Sequence, residues 1–325
     1  MKKSKFWITL CACLAPLAIT QSASAQSNYP SRAVRLVVPF PPGGGTDAIS
    51  RILGQRLAEN LGQQVVIDNR SGAGGIIGTD IIAKAAPDGH TIGMIISAHS
   101  VNPVLYSKLP YDSVKSFAPI SLVAYGLYVV VVHPSLPVKS MQELIAHAKA
   151  NPGNINVALA GAGSPGHLAS EKFKSAYNIN LNSVLYKGAG PAVTDLVAGQ
   201  VQLLFASFPA VQQLIAAGRL RAFAATSAKR SPVAPDLPTA AEAGVPNFIV
   251  GEWYGLTAPS GTDQAIIARL NKETVKALAV TEVKDRLLGL GAEIVGSTPQ
   301  EFGKFLQAEI TKQGKLLRDA GIKVE

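Results

Sequence analysis

The chain has 325 residues, 47% of them hydrophobic, with 30 Lys and Arg against 21 Asp and Glu for a formal net charge of +9. Both cysteines, Cys11 and Cys13, fall within the first 25 residues, so the remaining chain holds no disulfide, no thiol nucleophile and no cysteine metal site. The basic excess is dispersed and contains no Lys/Arg run interleaved with aromatics, which argues against nucleic acid as a partner and fits attraction to anionic solutes.

Lys2, Lys3 and Lys5 precede an apolar run from Phe6 to Ile19, and Ala23-Ser24-Ala25 supplies small residues before Gln26. This pattern predicts a secretory signal peptide over 1–25, cleaved after Ala25, that exports the mature protein. A rival reading takes Leu10-Cys11-Ala12-Cys13 as a lipid-attachment site, at the cost of a very short apolar region. Loss of the three lysines lowers the net charge from +9 to +6. The remaining length suits two ordinary domains, and no later segment reaches the ~18 uninterrupted apolar residues that a spanning helix needs.

Val34-Arg35-Leu36-Val37-Val38 reads as a short buried strand, and Ile49, Ile52, Leu53, Leu57 and Leu61 recur at helical spacing until Gly62. Between them, Pro39-Phe40-Pro41-Pro42 withholds N–H groups, while Gly43, Gly44, Gly45 and Thr46 leave free backbone donors where the helix begins. A helix N-terminus bared by glycine is an anion seat, and Asp47 in its first turn suits the dipole. The order strand, helix, strand, helix, strand continues through Val65–Asp68, Ile76–Ala86 and Thr91–Ile96, which predicts a parallel α/β class. A second glycine-rich loop, Asn69–Gly75, and Ser97-Ala98-His99-Ser100 stand at the same edge of that sheet, where ligands of open α/β sheets bind. His90, in a Pro-Asp-Gly-His turn, reads as a solvated turn residue, and His99 as either a cleft residue or a helix start. Ile120 to Val132, interrupted by Gly126, reads as one strand leaving a first domain and another opening a second. A second α/β series runs to Thr226, Phe248–Tyr254 reads as a return strand, and the tail holds amphipathic helices with a short strand at Glu293–Val295. A chain that crosses twice has its first domain completed by its own C-terminus, giving domains of 26–124 with 253–325, and 125–252.

Gly161-Ala162-Gly163-Ser164-Pro165-Gly166 matches a dinucleotide fingerprint only literally, because Pro165 deletes a donor and Lys187 stands where an acidic ribose ligand is needed. A hydrolase using Ser164 with His167 requires a late histidine, yet none of His90, His99, His133, His147 and His167 follows Asp195. No lysine follows Gly43 to Thr46 to make a phosphate loop, and the histidines fall at no metal-ligand spacing. What remains is that Ala160 to Ser164 mirrors Gly43 to Thr46, so two small-residue loops, one per domain, could hold a small anion between them. Trp253 and Tyr254, at the return between domains, either wall the cleft or pack the hinge.

Tyr29–Arg35, Pro39–Asp47, Asp68–Gly75, Pro87-Asp88-Gly89-His90-Thr91, Gly161–Ser164 with His167-Leu168, and Ala217–Ala222 together resemble the Bug/TctC family, the extracytoplasmic solute receptors of tripartite tricarboxylate transporters. The resemblance implies a periplasmic-binding-protein type II-like fold, in which two α/β domains joined by two crossover strands close on a small carboxylate. It implies a membrane permease as partner, no cofactor, no enzymatic chemistry and a monomeric receptor. The family's ligand loops map onto Gly43, Gly44 and Thr46 and onto Gly163 and Ser164, and the wider candidate set adds Phe40, Asp47, Ser97, Ala160, His167, Ala206, Ser207 and Trp253. Many members carry an acid after the strand that ends at Phe205, whereas this chain has Ala206-Ser207, which disfavours an amino acid and favours an unsubstituted or aromatic carboxylate. The alternatives are a sensory receptor acting on a membrane kinase, and a secreted hydrolase using Ser164.

Overall fold

The computed structural model describes residues 29–161, 163–186 and 188–319, so the predicted signal peptide with both cysteines, Ala162 and Lys187 lie outside the described residues. The first half runs β1 (Val34–Val38), α1 (Gly45–Leu61), β2 (Val65–Asn69), α2 (Ile76–Ala83), β3 (Thr91–Ile96), α3 (Ala98–Leu105) and β4 (Phe117–Gly126). The second series is β5 (Tyr128–Val132), α4 (Met141–Ala150), β6 (Asn156–Leu159), α5 (Pro165–Tyr177), β7 (Asn182–Leu185), α6 (Ala189–Val197), β8 (Leu203–Ser207), α7 (Phe208–Ala216) and β9 (Arg221–Ala225). The chain then returns through β10 (Glu252–Pro259), α8 (Gln264–Leu278), α9 (Thr281–Gly289), β11 (Ala292–Ile294) and α10 (Pro299–Asp319).

Two sheets result. The first, ordered β11-β4-β10-β3-β1-β2, is parallel across β2, β1 and β3 and antiparallel across β3, β10, β4 and β11. The second, ordered β7-β6-β8-β5-β9, pairs β6 in parallel with β7 and β8, while β5 runs antiparallel to β8 and β9. The returning β10 therefore lies inside the first sheet, which is a two-domain α/β architecture completed by the C-terminal segment.

Each sheet is covered on both faces, so its strands bury both sets of alternating side chains. In β1, Leu36 and Val38 join Leu53, Leu57, Ile92 and Leu270 on one face, while Val37 joins Ile82, Ile95, Trp253 and Phe302 on the other. In β5, Val130 and Val132 pack with Phe173 and Phe205, and Val129 and Val131 with Leu196 and Leu204. Phe248 is 2% exposed in the former cluster. It plugs the second domain's core, which is why the return strand begins at Glu252 and not at Phe248.

The two crossings lie side by side. Leu127 alone separates β4 from β5, and its backbone donates to Gly291 O at 2.8 Å and accepts from Phe208 N at 2.9 Å. On the return, Val250 N donates to Thr226 O at 3.0 Å, and a Cβ at Gly251 would lie 2.9 Å from Gly126 O. Away from this hinge the domains also touch where Leu168 of α5 meets Val101 and Leu105 of α3 and Leu317 of α10.

Candidate ligand-binding cleft

The loop after β1 is organised from beneath by Asp47, which is 4% exposed. Its Oδ2 accepts the Gly43 N–H and the Arg51 Nε–H, each at 2.9 Å, and its Oδ1 accepts from Asn69 Nδ2 at 3.1 Å. Asn69 Nδ2 also donates to Phe40 O at 3.0 Å, tying the second glycine-rich loop to the first. Burial works to raise the Asp47 pKa, but the bonds from Arg51, Gly43 and Asn69 outweigh it and hold the carboxyl below the usual aspartate range. Asp47 is thus a brace, and it occupies the Gly43 amide that the sequence left free for a ligand. No side chain caps α1, whose N-cap is Gly44, so the remaining first-turn amides have no partner among the described residues.

Asp47→Ala strands these donors and is expected to destabilise the protein by about 2–3 kcal/mol at pH 7. Because the folded-state pKa is lowered, the stabilisation is present above the unfolded value of about 4 and is lost as pH falls through the folded value. Urea melts of both proteins should therefore converge toward low pH.

A cavity of about 430 Å³ opens beside this loop. Gly43, Gly44, Gly45, Thr46 and Ala48 form one wall, Ser207, Pro209 and Ala210 another, and Gly126, Leu127, Tyr128, Glu252, Tyr254, Leu290 and Gly291 the floor and rim. Ser207 is the N-cap of α7 but makes no capping bond, so its hydroxyl is unspent. The uncapped start of α1 and the Ser207 hydroxyl, one from each domain, meet at this cavity, and among the described residues none that lines it is Lys, Arg or His.

The candidate residues divide on this geometry. Gly43, Gly44, Thr46 and Ser207 line the cavity, whereas the Ala160–Ser164 loop does not. Ser164 Oγ caps α5 by accepting the His167 N–H at 3.2 Å, and Gly163 N donates to His167 Nδ1 at 3.0 Å. Gly163 has φ +69° and sits so close to α3 that a Cβ would come 2.5 Å from Leu105 Cδ1, so this loop docks on the first domain. His167 Nε2 is 3.9 Å from Glu171, and the Ser164 hydroxyl has no imidazole to take its proton, which removes the basis for a Ser164 hydrolase. Ala206 is 5% exposed and packs in the core behind Ser207. Phe40 lies over Gly75, where a Cβ would be 2.9 Å from its ring.

Trp253 does not wall this cavity. It is 2% exposed on the opposite face of β10, edge-on to Phe302 and Phe305 at 6.0 and 5.6 Å, and the aromatic residues at the cavity are Tyr128 and Tyr254. His99 is likewise buried, stacked on Tyr111 and bonded through Nε2 to Ser113 O at 2.8 Å. Burial, partly offset by that bond, lowers its pKa to about 4. His90 is 9% exposed, packs edge-on against Tyr29 and accepts Ser31 N, so it is a packed residue and not a solvated one.

Glu252 is the residue that sequence reasoning passed over. Its Oε1 accepts both Ser97 N, at 2.9 Å, and Ser97 Oγ. Burial pushes its pKa up to about 7, against the lowering effect of the Ser97 bonds. The neighbouring Tyr128 and Tyr254 hydroxyls are raised too, first by burial and then by the charge of Glu252. The one signal in the sequence was an acid opening an otherwise apolar strand.

The described residues hold no cluster of three or more His, Cys, Asp or Glu that could bind a metal. Residues 49–322 match the family model described as the tripartite tricarboxylate transporter family receptor, TctC. The chain belongs to this family. Protein BugT of Bordetella pertussis is 40% identical over 314 residues, covering 96% of each chain. Among solved structures, Rpa4515 of R. palustris with adipate is 38% identical at TM-score 0.81, covering 91% of this chain and 100% of that one. MatC (Rpa3494) of Rhodopseudomonas palustris with bound malate is 34% identical at TM-score 0.77, covering 89% of this chain and 100% of that one. This TctC-family chain is therefore a two-domain solute-binding receptor and not an enzyme.

Proposed function

We propose that this receptor captures a small carboxylate, mono-, di- or aromatic, in the cleft between its domains in the periplasm and delivers it as a monomer to a tripartite tricarboxylate-type membrane permease. The observation that carries the reading is the uncapped start of α1 at Gly45 bordering one cavity with the unspent hydroxyl of Ser207 at the head of α7. A carboxylate there would accept from the amides of Gly44, Gly45 and Thr46, with Ser207 completing its shell from the second domain. Related receptors solved with adipate and malate support the ligand class. Because contacts come from both domains, the ligand favours the closed arrangement by its differential affinity, and the hinge at Leu127 and Gly251 carries the motion.

Trp253 is the one tryptophan beyond the leader and sits at the base of the hinge. Its fluorescence, followed with a thermal melt, should give a saturable change and a raised melting temperature for one of adipate, malate, succinate or benzoate. Inorganic phosphate and alkylamines should give neither. Silence toward every carboxylate would refute the reading.

A further inference from the structure

With a carboxylate bound as proposed, a reading on which the role of Glu252 rests, the cavity sets a second negative group beside the ligand. Glu252 borders the cavity, and among the described residues no lysine, arginine or histidine lines it. Facing Glu252 are Ser97 from the start of α3, Tyr128 from β5 and Tyr254 from its own strand. Behind the hinge Glu252 also borders a cavity of about 390 Å³ that carries Lys229, Glu293, Glu309 and Lys312. There Lys312 is already paired with Glu309 at 2.9 Å. Asp47, the other acid near the cleft, has its charge met by Arg51 at 2.9 Å.

Two carboxylates sharing a cavity without a counter-ion cannot both stay ionised cheaply; the less solvated one takes a proton. Both Ser97 donors converge on Oε1, and the Trp253 backbone N–H also bonds the carboxylate, so the added proton goes to Glu252 against these three donors. We infer that Glu252 sets the ligand specificity of the cleft through its own protonation: the receptor takes up a carboxylate together with one proton on Glu252, whose O–H then serves as a donor in the cavity. The free side chain is poised for this, since burial pushes its pKa up to about 7. An ammonium group beside the same residue would give the opposite linkage. An amino acid whose ammonium met Glu252 would hold it ionised, and its binding would release a proton.

Linkage gives the sign. When the bound state has the higher pKa, affinity is full below the free-protein value and falls by ~10-fold per pH unit above it. Calorimetry of the wild-type protein from pH 6 to 9 with adipate, malate and benzoate should show the dissociation constant rising over about pH 7–9. Titrations at pH 8 in buffers of different ionisation heat should show close to one proton taken up per ligand. Glu252→Gln, a neutral isostere, should bind with no pH slope, and Ser97→Ala should move the midpoint of the wild-type slope. The proton count on the wild-type protein stands even if a variant fails to fold. Carboxylate binding that is flat or strengthens with pH, or that releases a proton, overturns the role of Glu252 and leaves the carboxylate reading intact. Absence of binding by every carboxylate at every pH overturns both.

Discussion

Gly45→Asp is expected to abolish carboxylate binding without unfolding the receptor. Gly45 opens α1 and lines the cavity, and a Cβ there would meet nothing closer than Tyr254 Oη at 3.6 Å, an ordinary contact. Space is therefore available for a side chain. Its carboxylate would sit at the helix start, where an anion suits the dipole, and a proton on Glu252 relieves the repulsion across the cavity, so the fold should hold. The same group would occupy the ligand's seat and repel the ligand's charge. Calorimetry should show affinity reduced at least about 100-fold, or roughly 3 kcal/mol. Gly45→Ala, which adds the Cβ without the charge, should remain within a few-fold of wild type. Unchanged affinity in Gly45→Asp would place the ligand elsewhere.

The second large effect falls on the support of the loop. Gly78 lies in α2, and a Cβ there would come within 2.6 Å of both Arg70 O and Pro39 Cα and 2.9 Å of Pro39 Cβ. Backbone atoms cannot swing aside as a side chain can. Gly78→Ala must push α2 off the two segments that lead into the glycine-rich loops, at Pro39 and at Arg70. A loss of about 3 kcal/mol is expected, lowering the melting temperature by roughly 6–10 °C. Carboxylate affinity should fall with it, because the amides of Gly44 to Thr46 lose their aim. Gly44→Ala is the control: its φ of −83° is open to any residue and its Cβ would lie 3.8 Å from the nearest atom, so a change under about 0.5 kcal/mol is expected.

The first loop was legible because every signal in it is local. An apolar strand, prolines, three glycines and a helical period succeed one another within about 30 residues, and α1 begins where the pattern places it. The division of the apolar run at Gly126 was legible for the same reason, since β4 ends there and β5 begins at Tyr128. What escaped depends on contacts far apart in sequence. The loops before α5 and α7 are both small-residue turns after strands, and the sheet order decides which one faces α1. β8 pairs with the crossover strand β5 and so delivers Ser207 to the hinge, whereas β6 lies one strand farther out. Trp253 and Tyr254 could not be assigned to faces because β10 is interior, with helices on both sides, and both faces demand large apolar side chains. Glu252 was invisible because its partner, Ser97, is 155 residues away.

On this reading backbone amides at the start of α1, opposed by Ser207, hold the carboxylate. Amide NMR of the isotope-labelled receptor tests it most directly. On titration with adipate, or with the tightest carboxylate of the panel, the resonances of Gly44, Gly45, Thr46 and Ser207 should move together along one saturable curve, the first three downfield as their N–H groups gain an anionic acceptor. Saturable binding that leaves those four unmoved, while shifting residues of the cavity behind the hinge such as Lys229 and Gln313, would contradict it.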